Sequence, residues 1–200
     1  MDIQKISQIQ MNFFGNLEGI YGIKTGFTNG ANRCLVTACK RNDMDIICVV
    51  LGADTKNYRT KDSIKLIEYT FKNFKPVNIK ELVDGELNIW KEKNLNKINI
   101  NKGMYDSIKI TISPLNNDVI PIENDLINTL QIKINCNLNL EAPINKSSQI
   151  GKIEIFLNND LLDTINIEIE NDIPKKGINY YIKYFLENYC DIITSIVKEN

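Results

Sequence analysis

The sequence predicts an α+β fold: a β-hairpin with one packing helix, then a small antiparallel β-sandwich, then a C-terminal amphipathic helix. Three observations predict it. Two apolar runs of strand length flank a short polar turn near Asn42, and a helix-period stripe follows them. From about Val77 apolar residues recur at every second position, until a longer helical stripe begins at Ile178.

The hairpin strands are Cys34 to Cys39 and Asp45 to Leu51, separated by Lys40-Arg41-Asn42-Asp43. Thr60 is placed to cap a helix running to about Phe74. In it Ile64, Ile67, Phe71 and Phe74 return on one face, and Pro76 marks the stop. That single stripe is expected to pack on the hairpin. Ser107 to Ser113, Leu130 to Ile134, Lys152 to Phe156 and Thr164 to Ile169 then alternate apolar and polar residues, the pattern of antiparallel strands with one packed and one wet face. The last segment sets Ile178, Ile182, Phe185, Leu186, Tyr189, Ile193, Ile196 and Val197 on one helical face. Such a helix either docks on its own domain or lies in a membrane interface, and its tyrosines favour the interface. The resulting division is 1–75, 76–176 and 177–200.

Composition narrows the chemistry. With 200 residues, 43% hydrophobic, 24% charged and a net charge of −1, the chain has no basic excess to draw it to nucleic acid. Histidine is absent, which removes Ser-His-Asp and Cys-His catalysis and HExxH zinc chemistry. The five cysteines, Cys34, Cys39, Cys48, Cys136 and Cys190, show no C-x-x-C spacing, so neither a zinc site nor a complete disulfide framework is expected. No metal or other cofactor is implied. Met1 to Gln10 lacks the apolar core of a signal peptide, and no stretch reaches transmembrane length. The chain is therefore expected to be cytoplasmic if Met1 is the true start, or a fragment if it is not.

The residues that carry chemistry lie just before the hairpin, in Tyr21-Gly-Ile-Lys24-Thr25-Gly26-Phe-Thr28. Alone, Lys-Thr-Gly is an ordinary strand end. Its surroundings, Leu17-Glu-Gly-Ile through Asn29-Gly-Ala-Asn-Arg-Cys-Leu-Val-Thr-Ala38, then Met44 to Ala53, Arg59, the β-rich segment and the stretch near Glu141-Ala-Pro-Ile-Asn-Lys146, resemble the serine-type D-alanyl-D-alanine carboxypeptidases. These are the low-molecular-mass penicillin-binding proteins of the S11 peptidase family. The resemblance spans nearly the whole chain.

It implies that residues 1–75 are the C-terminal part of a penicillin-binding, β-lactamase-like catalytic domain. A short β domain follows, and an amphipathic tail, residues 178–200, would hold the protein to the outer face of the cytoplasmic membrane. It further implies Lys24 as a catalytic residue, with Thr25, Gly26, Thr28 and Arg59 as substrate-binding residues. A lysine charge assists proton transfer, the threonine hydroxyls and a guanidinium suit a terminal carboxylate, and glycine admits the substrate backbone. Arg59 reads equally as a solvated arginine at a helix start. The implied substrate is the peptidoglycan stem peptide, with β-lactams as ligands if the site is completed.

Two departures stand beside these. Asn32 occupies a place where the family has glycine; asparagine tolerates positive φ better than other side-chain-bearing residues. The family's upstream S-x-x-K and middle S-x-N do not precede Lys24, and the lone S-x-x-K, Ser195 to Lys198, lies behind the motif at the tail end. The expectation is an incomplete site on a sheet whose uncovered apolar surface favours association. The alternatives are a non-catalytic envelope-binding module with a membrane-surface helix and, less favoured, a β-lactamase fragment.

Overall fold

The computed structural model describes residues 17–198, with side chains through Tyr189. The reading of Met1 to Gln10 therefore lies outside the described residues. The side chains of Cys190, Ile193, Ser195, Ile196, Val197 and Lys198 likewise lie outside them. The first elements are β1 (Ile20–Thr28), β2 (Asn32–Arg41), β3 (Met44–Ala53), α1 (Lys56–Asn73), β4 (Phe74–Asn78) and α2 (Ile79–Asn94). After these come β5 (Asn99–Asn101), β6 (Ile110–Ile112), β7 (Val119–Glu123), β8 (Gln131–Cys136), β9 (Asn139–Glu141), β10 (Gln149–Leu157), β11 (Asp160–Ile169) and α3 (Ile178–Lys198). They form two compact units. One takes the chain up to Ile79 together with Asn117–Asn128; the other takes Lys80–Asn116 and the chain from Thr129 onward.

In the first unit β1, β2 and β3 make an antiparallel meander in that order. The expected hairpin is β2 with β3, and its turn residues Asn42 and Asp43 have φ of 47° and 63°. Two successive left-handed residues match the right-handed twist of the flanking strands, and short polar side chains tolerate that backbone. Alternation along the strands puts Leu35, Thr37 and Cys39 of β2 and Met44 and Cys48 of β3 on the buried face. Helix α1 covers it, with Ile67 fully buried in one cluster with Cys39 and Cys48, and Phe71, Ile46 and Val50 packed around them. These two cysteines act as small core groups. A buried hydrogen bond of 2.7 Å between the hydroxyls of Thr37 and Ser63 also joins sheet to helix.

The helix starts earlier than the sequence predicts. Thr55, not Thr60, is the cap, its hydroxyl accepting the Tyr58 N–H at 3.1 Å. Thr60 is buried inside the helix and donates its hydroxyl to the Lys56 carbonyl at 3.0 Å. Both residues suit a cap by type; the helix begins at the earlier one, two residues after β3 ends at Ala53. After α1 the chain becomes extended, and β4 pairs antiparallel with β7, so a strand from within the predicted β domain belongs to this unit.

In the second unit the four segments with clean alternation become β6, β8, β10 and β11, joined in one antiparallel sheet in the order β6-β11-β10-β8. Its packed face is isoleucine: Ile153, Ile155, Ile165, Ile167 and Ile169 are all fully buried. Each contributes about 1.5–3 kcal/mol of transfer free energy. Two features depart from the all-antiparallel reading. Helix α2 stands where short strands are predicted; Ile79, Val83 and Leu87, all buried, recur every fourth residue, a period that the surrounding alternation obscures. Strands β5 and β9 pair in parallel through three residues each, too few to leave a periodic trace. Only their central residues, Ile100 and Leu140, are buried.

Helix α3 covers the predicted segment from Ile178. Its described apolar side chains, Ile178, Ile182, Phe185, Leu186 and Tyr189 among them, are exposed, and the rings of Phe185 and Tyr189 stack at 6.0 Å. Among the described residues no helix is long and apolar enough to cross a membrane.

Candidate functional site

Strand β1 carries the Lys24-Thr25-Gly26 motif, and among the described residues it forms the edge of its sheet. Its register against β2 pairs Lys24 with Val36, Thr25 with Leu35, Gly26 with Cys34, Phe27 with Arg33 and Thr28 with Asn32. Because directly opposed residues share a face, Thr25 and Phe27 lie on the side of Leu35 that α1 covers. Lys24, Gly26 and Thr28 lie on the other side. That second face also holds Val36 and, from β3, Val49 and Ile47, all exposed. The ammonium of Lys24 is exposed and donates to the Thr25 carbonyl at 2.9 Å.

Two glycines near the motif differ in what the fold asks of them. Gly19 has φ of 82°, and a Cβ there would collide with the Lys40 carbonyl oxygen. This is also where the Lys40 N–H bonds the Gly19 carbonyl at 2.9 Å, so glycine is structurally required. A Cβ on Gly26 would meet only the Cys34 Cβ, at an ordinary 3.6 Å. The described fold does not demand glycine at Gly26.

The turn after the motif is built by its own residues. The Thr28 hydroxyl accepts the Ala31 N–H at 3.0 Å, and Asn32 takes φ of 51°. Asn32 thus adopts the left-handed backbone for which glycine is the usual choice and asparagine an acceptable one. The Thr28 hydroxyl oxygen is engaged as an acceptor in this turn, which leaves its hydrogen as the donor it can offer outward.

Arg59 sits in α1 and reaches the motif's end of the sheet, donating from Nη1 to the Cys34 carbonyl at 3.4 Å, opposite Gly26. Its Nε–H is buried and has no hydrogen-bond partner. Its pKa is pushed down, first by burial and then by the charge of Arg33. The guanidinium of Arg33 lies 4.6 Å from the centre of the Phe27 ring. Fold and register thus bring Thr25, Phe27, Arg33 and Arg59 to one end and one face of the sheet, with Lys24, Gly26 and Thr28 on the opposite face of the same strand. The sequence alone does not single out Arg33 as a site residue; its place beside Arg59 depends on the β1–β2 register and on where α1 begins.

At the other end of the strands Arg41 ties the unit together. It donates from Nε to the Glu18 carbonyl at 2.7 Å and pairs with Glu68 at 2.8 Å. Glu68 is held below the usual carboxylate range by that hydrogen bond.

Known proteins are similar to this chain over both of its parts. The family described as D-alanyl-D-alanine carboxypeptidase matches residues 2–55, and the family described as penicillin-binding protein 5, C-terminal domain, matches residues 71–175. The D-alanyl-D-alanine carboxypeptidase DacF of Bacillus subtilis is 24% identical over 166 residues, covering 82% of this chain and 40% of the relative. DacA of Haemophilus influenzae, a D-alanyl-D-alanine carboxypeptidase, is 29% identical over 178 residues, 87% of this chain and 42% of the relative. Among solved structures, the D-alanyl-D-alanine carboxypeptidase DacD from Francisella tularensis aligns with a TM-score of 0.55 and 25% identity, over 80% of this chain and 38% of that one. The chain spans about two fifths of the length of the curated relatives it matches. From the motif, the fold and these matches together, the chain belongs to the D-alanyl-D-alanine carboxypeptidase family, carrying part of the peptidase domain followed by the penicillin-binding protein 5 C-terminal domain.

Proposed function

We propose that β1 is the substrate strand of a serine-type D-Ala-D-Ala carboxypeptidase acting on peptidoglycan stem peptides at the cell envelope, and that these residues hold substrate without cleaving it. The observation that carries the reading is Gly26 on an edge strand: the fold leaves room for a side chain there, so its absence serves something that approaches from outside. An extended peptide added along β1 would gain main-chain hydrogen bonds from the edge. Thr25 and Arg59 would hold its terminal carboxylate, and the outward hydrogen of Thr28 would meet the peptide from the other face of the strand. Lys24 would supply positive charge where the attacking group must lose a proton.

Cleavage also requires a nucleophilic serine and its base, and no S-x-x-K or S-x-N stands before Lys24 in these residues. The exposed apolar face formed by Val36, Ile47 and Val49 supports the same reading. It is the kind of surface that further polypeptide covers in a complete domain. The proposed division is a partial catalytic domain over residues 1–75, a β-rich domain over 76–176 and a tail over 177–200, with Asn117–Asn128 of the β-rich stretch belonging to the first compact unit.

The test incubates the purified chain with a fluorescent penicillin. No covalent label is expected, and an acyl-enzyme band would overturn the claim that these residues lack the nucleophile. A second reading, a non-catalytic envelope module bound to membrane surfaces through residues 178–200, is favoured by one observation. The described apolar and aromatic side chains of α3 are exposed.

A further inference from the structure

We propose that Arg33 and Arg59 together form a two-arginine clamp for a carboxylate at the Thr25 end of β1, with Arg33 a specificity-determining residue for the free acid. The inference deepens the proposed function and rests on it for the identity of the ligand.

The argument starts from two like charges placed together. Arg33 faces Phe27 across the β1–β2 ladder, and its guanidinium is held over that ring at 4.6 Å. An aromatic face fixes the plane of a guanidinium and leaves its N–H edge free to donate. Arg59 comes from α1 and is anchored by its bond to the Cys34 carbonyl, the residue next to Arg33. Among the described residues the ion pairs of arginine involve Arg41, and no carboxylate pairs with either of these two.

The pair also carries an unmet demand. Arg59 Nε–H is buried without a partner, which costs more at a charged group than at a neutral one. Burial and the neighbouring Arg33 both disfavour the charged form of Arg59. An anion bridging the two guanidiniums would answer all three penalties at once, by taking the orphan donor, screening the repulsion and compensating the desolvation. The ligand it fits is planar with two oxygens, because each guanidinium presents parallel N–H groups that match a carboxylate. A main-chain carbonyl or an amide offers one oxygen and no charge. The clamp therefore distinguishes a peptide that ends in a free acid from one that continues.

The experiment titrates the full 200-residue chain with N-acetyl-D-alanyl-D-alanine, with its C-terminal amide, and with acetate. Binding is read from the backbone N–H of Thr25 and Cys34 and from the side-chain Nε–H of Arg59 by nuclear magnetic resonance. Arg33→Gln should weaken the acid about tenfold and leave the amide unchanged, the scale of one charge-assisted hydrogen bond. Arg33→Lys should recover part of the loss. Equal weakening of acid and amide, or no weakening of the acid, would overturn the clamp. The acetate arm separates this inference from the substrate reading. If neither dipeptide perturbs Lys24 to Thr28 but acetate still shifts Arg59 Nε–H in an Arg33-dependent way, the clamp stands and the stem-peptide reading falls. If acetate leaves Arg59 unmoved, the clamp itself is refuted.

Discussion

Replacing Gly26 with alanine should leave the first unit as stable as before, whereas the same change at Gly19 should damage it. At Gly26 the added Cβ meets the Cys34 Cβ at 3.6 Å, which is ordinary van der Waals contact. The backbone there is not left-handed, so the loss of unfolded-chain freedom works slightly in favour of alanine. The expected change is within about 0.5 kcal/mol of zero. At Gly19 alanine must adopt φ near 82° and push aside the Lys40 carbonyl. The left-handed backbone costs roughly 1–2 kcal/mol and the Lys40 N–H bond to Gly19 roughly another 1. A loss of about 2–3 kcal/mol lowers the melting temperature of a domain this size by roughly 10–20 °C. Amide hydrogen exchange at Leu35 and Thr37 would report the first unit. The single tryptophan, Trp90, lies in the second and supplies an internal control by fluorescence. If Gly26→Ala destabilises the sheet as much as Gly19→Ala, then Gly26 is a structural glycine, and the argument that it serves an incoming peptide collapses.

Two other outcomes follow from the same structure. Ser63→Ala strands the buried Thr37 hydroxyl and should cost about 1–3 kcal/mol in urea unfolding, most of it recovered in the double variant with Thr37→Val; purely additive losses would mean that the pair is not coupled. Deleting residues 178–200 should sharply reduce co-sedimentation with vesicles of anionic phosphatidylglycerol, and unchanged binding would remove the membrane-surface role of α3.

The sequence by itself determined the elements whose periodicity is long and uninterrupted. The β2–β3 hairpin, the stripe of α1 and the four strands of the β6-β11-β10-β8 sheet are all legible as runs of apolar residues, because one buried face per element forces period two or a helical period on the chain. The Lys24-Thr25-Gly26 motif and its family were legible for a different reason: the residues that carry the resemblance stand contiguously on one strand. Only tertiary structure decided the rest. Helix α2 was hidden because its buried residues Ile79, Val83 and Leu87 stand next to segments of strand character. The β5–β9 ladder and the β4–β7 pair join residues far apart in sequence, and local propensity contains no term for distant pairing. Arg33 is the sharpest case. Nothing in its neighbourhood marks it, and its place over Phe27 and beside Arg59, on which the proposed clamp rests, comes from the β1–β2 register and the early start of α1. Burial patterns are written along the chain, but the convergence of two charges is a property of the folded surface alone.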